Sequence, residues 1–461
     1  MSTFDVILVV LTLGHAVATV AAPRAAMFAL PVVGPLLLFG WPLQLLVERF
    51  YWQFLPLYLL FPLSAVVSFV VGARRRTGAR AVGARVAVAV LAVIALPAPA
   101  AVPVPRLPEP TGRYAVGSEI FRWVDEQRAE PSAPADRRNV VVQAWYPSNG
   151  SSGRRYLYLD GDGELPGSVA GVPGWLMRGY GLIDSHASAD VAVADDRARW
   201  PVVLFSPGYG APRAFYTALV TDLASRGFVV LAVDHPYDSA ITTLSDGRIV
   251  TTAPDTSADD AEAARAMGDR QRTRAADLSF VIDQLARPDL LGPLAGRLDT
   301  DHIAAVGHSL GGASALAALA DDPRIDAAVD IDGTPYADLP DRALTRPVLL
   351  LESDHDRTDH SQRYLDGNSA LLGNLTAPGH RYALGGADHY GFTDAPYFLA
   401  RPARFALAGF PGGPREPADT GRTANALIEA FLRGPLGDPP ADLAATAAAA
   451  DDVTGGPVGP G

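Results

Sequence analysis

Four intervals at the start of the chain contain no Asp, Glu, Lys or Arg, and they decide its organisation. They are residues 6–23, 25–47, 50–73 and 86–105, and run 18, 23, 24 and 20 residues. A helix needs about 20 apolar residues to cross the hydrocarbon core of a bilayer. Stretches such as Leu36-Leu37-Leu38-Phe39 and Val66–Val71 are too apolar for a soluble surface. Prolines at 31, 35, 42, 56 and 62 would break a soluble helix but are tolerated in a membrane span. Trp41, Tyr51, Trp52 and Tyr58 fall near the expected interfaces, as an aromatic belt does. Residues 1–105 are therefore expected to be an all-α membrane module of four spans, or three if the last run does not cross.

Orientation is read from the arginines. Arg74, Arg75, Arg76, Arg80 and Arg85 lie between runs three and four, whereas only Glu48 and Arg49 separate runs two and three. The positive-inside bias puts the 74–85 segment in the cytoplasm. With four spans, everything beyond residue 105 lies outside the cell, so a multi-pass protein of the cell membrane with an extracytoplasmic domain is expected. The proline-rich stretch 106–112 reads as an extended, semi-rigid spacer.

Composition bounds the rest. The 461 residues carry a net charge of −12, and all 38 basic residues are arginine. The lysine-free composition looks like the coding bias of a GC-rich bacterial genome. No basic stripe is available to neutralise phosphates, so no nucleic-acid partner is expected. With no cysteine, disulfides, thiolate metal sites and a cysteine nucleophile are excluded.

From 113 to 435 strand-like and helix-like runs alternate. Short apolar runs at 140–146, 201–205, 228–233, 303–306, 325–331, 347–352 and 380–384 have the character of buried parallel strands. Helices are expected at 214–226, ending at Gly227, and at 258–287, with Met267, Leu278, Val281, Ile282 and Leu285 facing inward. Such alternation implies a mostly parallel sheet with helices on both faces, an α/β domain. Residues 436–461 are Ala, Gly, Asp and Pro without aromatics, and read as a disordered tail.

Within this domain Gly307-His308-Ser309-Leu310-Gly311 matches G-x-S-x-G, with a strand before it and a helix after it. This is the nucleophile elbow, a sharp turn that thrusts the serine out at the carboxyl end of the sheet. Ser309 is the candidate nucleophile, and the backbone N–H of Leu310 is one oxyanion donor. A serine needs a base oriented by a third group. His389, in the glycine-rich loop Gly385–Phe392 after a late strand, is the candidate base; His308 is expected to point away from the site and pack. Two acids compete: Asp332 at the end of the strand AAVDID, and Asp354 after the strand VLLLE. Spacing alone does not choose between them. Phe205-Ser206-Pro207-Gly208-Tyr209-Gly210 follows an earlier strand, and the N–H of Tyr209 is the expected second oxyanion donor. The cluster Glu352–His360 has carboxylates and two histidines, but it reads as a solvated loop and not as a metal site. No cofactor is called for.

Residues 201–238, the elbow GHSLGGA and Trp145-Tyr146-Pro147 resemble the platelet-activating factor acetylhydrolase family of isoform II type. The resemblance covers about residues 140–400 and implies the α/β-hydrolase fold. It also implies that the acid is the Asp of an "LD"-like dipeptide on the strand after the elbow helix, matched by Ile331-Asp332, and that the late histidine is His389. Pro207 stands where relatives often carry His, and the membrane module is an addition to the family pattern. The expected activity is hydrolysis of short-acyl phospholipids or other lipid esters by a membrane-anchored Ser-Asp-His enzyme. Its alternatives are a generic carboxylesterase or polyester-type hydrolase, and a silent membrane sensor with a hydrolase-like ligand domain. A transporter is a poor fit, since His15 is the one ionisable candidate inside the spans.

Overall fold

The computed structural model describes residues 3–47, 50–74, 78–97, 99, 105–150, 153–160, 166–169, 172–177, 180, 183–254, 256–398 and 414–459. The chain begins with four helices, α1 (Thr3–Ala21), α2 (Pro23–Val47), α3 (Leu55–Arg74) and α4 (Ala79–Ala95). Three helical stretches, Thr3–Ala21, Pro23–Val47 and Trp52–Ala73, are long and apolar enough to cross a membrane. The fourth is a 17-residue helix that starts before the charge-free run and ends well inside it. Arg80 and Arg85 thus lie on α4 and not in a loop, and Arg85 Nε donates to the Val20 carbonyl at 2.7 Å.

The bundle is apolar outside as well as inside, where Leu8, Leu37, Phe54, Leu57 and Leu60 are buried. Phe28, Val32, Phe39, Leu46 and Phe69 are exposed on its exterior. Polar contacts lie within: Trp41 Nε1 donates to Thr12 Oγ1 at 3.1 Å and Tyr58 Oη to Gln44 Oε1 at 2.8 Å. His15 Nδ1 lies 2.9 Å from Ser64 Oγ. In a bilayer, side-chain hydrogen bonds of this kind would tie helices together where apolar burial gives no net drive.

The second part is an 11-stranded sheet. In chain order its strands are β1 (Ala115–Glu130), β2 (Ala133–Ser148), β3 (Arg154–Leu157), β4 (Asp184–Ala189), β5 (Trp200–Ser206), β6 (Val229–Asp234), β7 (Leu298–His308), β8 (Ile325–Ile331), β9 (Val348–Ser353), β10 (Gly379–Leu384) and β11 (Val453–Val458). Their spatial order is β11-β10-β9-β8-β7-β5-β6-β2-β1-β4-β3, with β6, β5, β7, β8, β9 and β10 parallel. The apolar runs reflect burial on both faces. Val202 and Leu204 pack on one side with Leu278, Val281 and Leu285, whereas Val203 and Phe205 pack on the other with Leu219, Leu427 and Ile428. Helices α5 (Thr217–Ser225), α6 (Asp260–Leu285), α7 (Leu310–Asp321), α8 (Gln362–Gly373) and α9 (Pro417–Arg433) cover the two faces. Met267 of α6 is only half-buried, unlike its inward-facing neighbours. This is an α/β-hydrolase fold preceded by a helical module.

Two expectations are corrected. The segment expected to be a disordered tail carries α10 (Leu443–Ala448) and β11, which pairs antiparallel with β10 from Gly379↔Val458 to Leu384↔Val453. An edge strand draws on backbone hydrogen bonds, which a Gly- and Pro-rich composition does not forbid. The 106–112 spacer is laid onto the α/β domain. Leu107 is buried among Tyr158, Met177, Tyr180 and Ala214, and the Thr111 and Gly112 N–H groups donate to Asp222 Oδ1 (2.6 Å) and Ser225 Oγ (2.9 Å) of α5.

Candidate active site

The site begins at the strand-to-helix turn between β7 and α7. Ser309 has φ 57° and ψ −127°, a conformation that an L-residue adopts only when its surroundings impose it. The surroundings do so from both sides. A methyl on Gly307 would collide with the Gly311 carbonyl, and one on Gly311 with the carbonyls of Ser206 and Pro207. The Ser309 N–H donates to the Ile331 carbonyl at 2.8 Å, which ties the elbow to the end of β8. Leu310 opens α7, so its N–H belongs to the first turn and has no carbonyl within the helix to receive it.

Asp332 follows β8 and also has a positive φ, 55°. Its Oδ2 lies 2.7 Å from His389 Nδ1. The carboxylate is fully buried and held from several sides: Oδ1 accepts from the Ser353 N–H (2.9 Å) and from His360 Nε2 (3.1 Å), and Oδ2 from Ser353 Oγ (2.9 Å). Burial works against the charge, but the hydrogen bonds from His360 and His389 outweigh it and hold the carboxyl well below the usual range. Asp332 is therefore an anion whose donors fix its plane.

Asp354, the competing acid, points elsewhere. Its Oδ2 accepts the Gly386 N–H (2.6 Å) and its Oδ1 the Asp356 N–H (2.9 Å), so it braces the loop that carries His389. In the Glu352–His360 cluster His355, Asp356, Arg357 and Asp359 are exposed, as a solvated loop is, but Glu352 and His360 are engaged. Glu352 is buried and paired with both Arg381 Nε (2.8 Å) and Tyr364 Oη (2.9 Å), while His360 stacks on Tyr364 at 3.9 Å. Among the described residues no group of three His, Asp or Glu side chains is arranged to hold a metal ion.

His308 packs as expected, buried against Tyr216, His389 and Phe392, but it is also hydrogen-bonded on both ring nitrogens. Its ring centroid is 4.5 Å from that of His389, Nε2 lies 2.8 Å from the His389 carbonyl, and Nδ1 lies 2.8 Å from Tyr216 Oη. Tyr216 Oη in turn accepts the Gly208 N–H at 2.9 Å. Donor and acceptor roles are consistent only if Tyr216 donates to Nδ1 and Nε2–H donates to the carbonyl. Burial, and then the neighbouring His389, lower the His308 pKa to about 3, so the ring is neutral at physiological pH. One buried imidazole thus links the Gly208 turn, the elbow and the His389 loop. Sequence held a hint of this only in its adjacency to Ser309.

Tyr209 sits in the turn between Gly208 and Gly210, of which Gly210 has φ 75°. An added Cβ at Gly208 would stand 3.4 Å from Ser309 Cβ, so this turn and the elbow are immediate neighbours. The elbow, the Gly208–Gly210 turn and the Asp332–His389 pair, reached through His308, are therefore neighbours at the carboxyl end of the parallel sheet.

Comparison with known proteins finds esterases. The family profile for platelet-activating factor acetylhydrolase, isoform II, matches residues 106–262 and 281–433. A probable 1-alkyl-2-acetylglycerophosphocholine esterase of Arthroderma benhamiae is 27% identical over 257 residues, 50% of this chain and 60% of that protein. The platelet-activating factor acetylhydrolase of Canis lupus familiaris is 25% identical over 290 residues, 54% of this chain and 60% of its own. The alignments thus span about three-fifths of the length of these curated relatives. Among solved structures, a ferulic acid esterase from Streptomyces cinnamoneus superposes with a TM-score of 0.62 at 30% identity, covering 76% of this chain and 99% of that one.

Proposed function

The chain belongs to the platelet-activating factor acetylhydrolase, isoform II, family, and from that premise we propose that it is a membrane-anchored serine ester hydrolase acting on short-acyl phospholipids or other lipid esters. The observation that carries this reading is the 2.7 Å pair between buried, ionised Asp332 and His389 beside the strained elbow serine. With Nδ1–H committed to Asp332, the imidazole presents its basic lone pair at Nε2. Ser309 Oγ attacks the ester carbonyl as Nε2 takes its proton. Asp332 holds the tautomer and stabilises the imidazolium that forms. The N–H groups of Tyr209 and Leu310 receive the charge that develops on the carbonyl oxygen. His389 then returns its proton to the departing alcohol. Water, activated by the same Nε2, releases the acyl group and restores the serine.

The substrate class rests on the names of the relatives and on the apolar N-terminal helices, which would keep the enzyme beside lipid. A generic carboxylesterase is the second reading, favoured by the ferulic acid esterase that this chain covers almost end to end. For the membrane module we propose four crossings, with Arg74–Arg76 in the cytoplasm and the α/β domain outside.

Three experiments test these readings. Ser309→Ala should abolish ester hydrolysis while the protein stays folded, and residual turnover above about a thousandth of wild type would refute the nucleophile. Hydrolysis of p-nitrophenyl esters of graded length, beside vesicles of acetylated glycerophosphocholine, separates the two substrate readings. Reporter fusions at residues 78 and 110 should report opposite sides of the membrane; the same side from both would remove the fourth crossing.

A further inference from the structure

A second serine–histidine–aspartate relay lies inside the domain. Ser206 Oγ is 2.9 Å from His235 Nε2, and His235 Nδ1 is 2.8 Å from Asp277 Oδ2. All three residues are 0% exposed, so no ester can reach this serine. The direction of the relay follows from its end. Asp277 also accepts from Arg138 Nε (3.1 Å) and Nη2 (2.6 Å), so it is a carboxylate and accepts a hydrogen bond from Nδ1–H. His235 Nε2 is then an acceptor, and Ser206 donates to it. Burial lowers the His235 pKa to about 4, which keeps the ring neutral and the direction fixed at neutral pH.

The place of Ser206 gives the relay its meaning. Ser206 ends β5 and begins the turn Ser206–Gly210 that carries Tyr209. Other ties hold the same turn. Arg274, one helical turn before Asp277 on α6, donates from Nη1 to the Pro207 carbonyl at 2.7 Å. The Gly208 N–H donates to Tyr216 Oη at 2.9 Å, and the Gly210 N–H to the Asp238 carbonyl at 2.8 Å. The Ser206 and Pro207 carbonyls are also the atoms against which Gly311 of the elbow packs too closely to admit a methyl. A shift of this turn would therefore move the Tyr209 N–H relative to both Ser309 and the Leu310 N–H.

We infer that the buried Ser206–His235–Asp277 relay, with Arg274 beside it, is a positioning device by which α6 fixes the oxyanion turn against the nucleophile elbow. The inference rests on the serine ester hydrolase reading. None of these four residues touches substrate. They act through the backbone between them, so their effect falls on the transition state and not on ground-state binding.

The test uses the full-length protein in detergent micelles, with p-nitrophenyl butyrate as substrate and butylboronic acid as a probe of the tetrahedral state. Ser206→Ala removes one buried hydroxyl. It should lower kcat by about ten- to a hundredfold, less than or equal to the loss of an oxyanion donor itself. KM should stay within about twofold, and the boronic acid Ki should rise in parallel with the fall in kcat/KM. A folded Ser206→Ala protein with wild-type kcat and Ki, or with only KM raised, overturns the inference. If that variant does not fold, Arg274→Met carries the same test, since Asp238 retains its contact with Arg270. In the wild type, nitrogen NMR should show His235 as the Nδ1–H tautomer, and a protonated Nε2 overturns the relay whatever the variants do. A fluorophosphonate applied to Ser309→Ala separates the two readings. An adduct at Ser206 would make the relay a reactive site and overturn the inference. Retained turnover without such an adduct would instead sink Ser309 as the nucleophile.

Discussion

His389 Nδ1 stands 2.7 Å from Asp332 Oδ2, while Asp354, just past β9 where the competing acid was expected, spends its carboxylate on the Gly386 and Asp356 N–H groups. The acid that reaches the imidazole is thus the one at the end of β8, and the other holds the loop from below. Replacing the acid by Asn keeps its shape but permits the wrong imidazole tautomer, at a cost on the order of ten-thousand-fold in the protease precedent. Asp332→Asn should lose at least roughly a hundredfold in turnover near neutral pH, and Asp354→Asn less than about tenfold. Steady-state kinetics showing the reverse order would reassign the acid.

The elbow glycines make a steric prediction. Gly311→Ala drives a methyl into the Ser206 and Pro207 carbonyls, which are backbone atoms held by α6 and cannot step aside cheaply. Overpacking of this kind costs typically 1–3 kcal/mol. Here it should also push apart the turn and the elbow, so labelling of Ser309 by a fluorophosphonate should slow even where the protein remains folded. A Gly311→Ala protein that labels at the wild-type rate would contradict the close approach.

Acid should destabilise the protein through two buried imidazoles. His235 and His308 titrate at about 4 and about 3, against an ordinary 6.5, because burial disfavours their charged forms. Below pH 6.5 the unfolded chain takes up protons that the folded chain refuses. The stability linked to these groups is therefore fully present above pH 6.5 and is lost as pH falls toward their folded values. At 1.36 kcal/mol per unit, the two gaps correspond to about 3 and about 5 kcal/mol as upper limits. His308→Gln can still accept from Tyr216 and donate to the His389 carbonyl, and it does not titrate. Its thermal midpoint should fall less steeply than wild type between pH 6.5 and 4; parallel curves would dismiss His308 as a contributor.

The C-terminal strand should matter to both stability and the site. β11 covers the edge of β10, and the Gly385 N–H donates to the Asp452 carbonyl at 2.7 Å at the root of the His389 loop. Truncation after residue 450 exposes a row of unpaired backbone groups and frees that loop. The truncated protein should show a thermal midpoint lowered by several degrees, increased light scattering on warming, and reduced turnover. Unchanged turnover would mean that the loop is held without its tie to Asp452.

What the sequence made legible follows a physical rule. Strands buried on both faces announced themselves as continuous apolar runs, and the elbow through glycines whose replacement has nowhere to go. The Asp332 assignment came from resemblance, because spacing along the chain does not say which of two strand ends faces a distant loop. β1, with Glu119, Arg122, Asp125 and Glu126 along it, carries no such apolar run and passed unseen. The roles of His308, His360 and the Ser206–His235–Asp277 relay were invisible for another reason. The hydrogen-bond partners that define these roles lie 28 to 92 residues away in the chain, and a lone buried histidine has no periodicity to betray it.

Asp330 gives a last prediction from the space around it. It lies two residues before Asp332 and is buried. Its carboxyl fills the gap left by two glycines, since a methyl on Gly312 or Gly333 would collide with it. Burial, and then the charges of Asp332 and Glu352, push its pKa well above the usual carboxylate range, so it stays protonated in the folded protein. An unfolded Asp ionises above pH ~3.9, so folding is opposed increasingly as pH rises past that value. Asp330→Asn removes the titration while keeping the shape, and should raise stability at pH 7 relative to pH 4 with little change in turnover. Gly312→Ala should cost about 1–3 kcal/mol by forcing a methyl against the carboxyl. In an Asp330→Ala background the obstruction is gone, so the Gly312 substitution should cost less, with a coupling of about 1 kcal/mol or more in a double-mutant cycle. Strict additivity of the two changes in chemical denaturation would show that the Gly307 carbonyl, 3.0 Å from the same methyl, sets the limit instead.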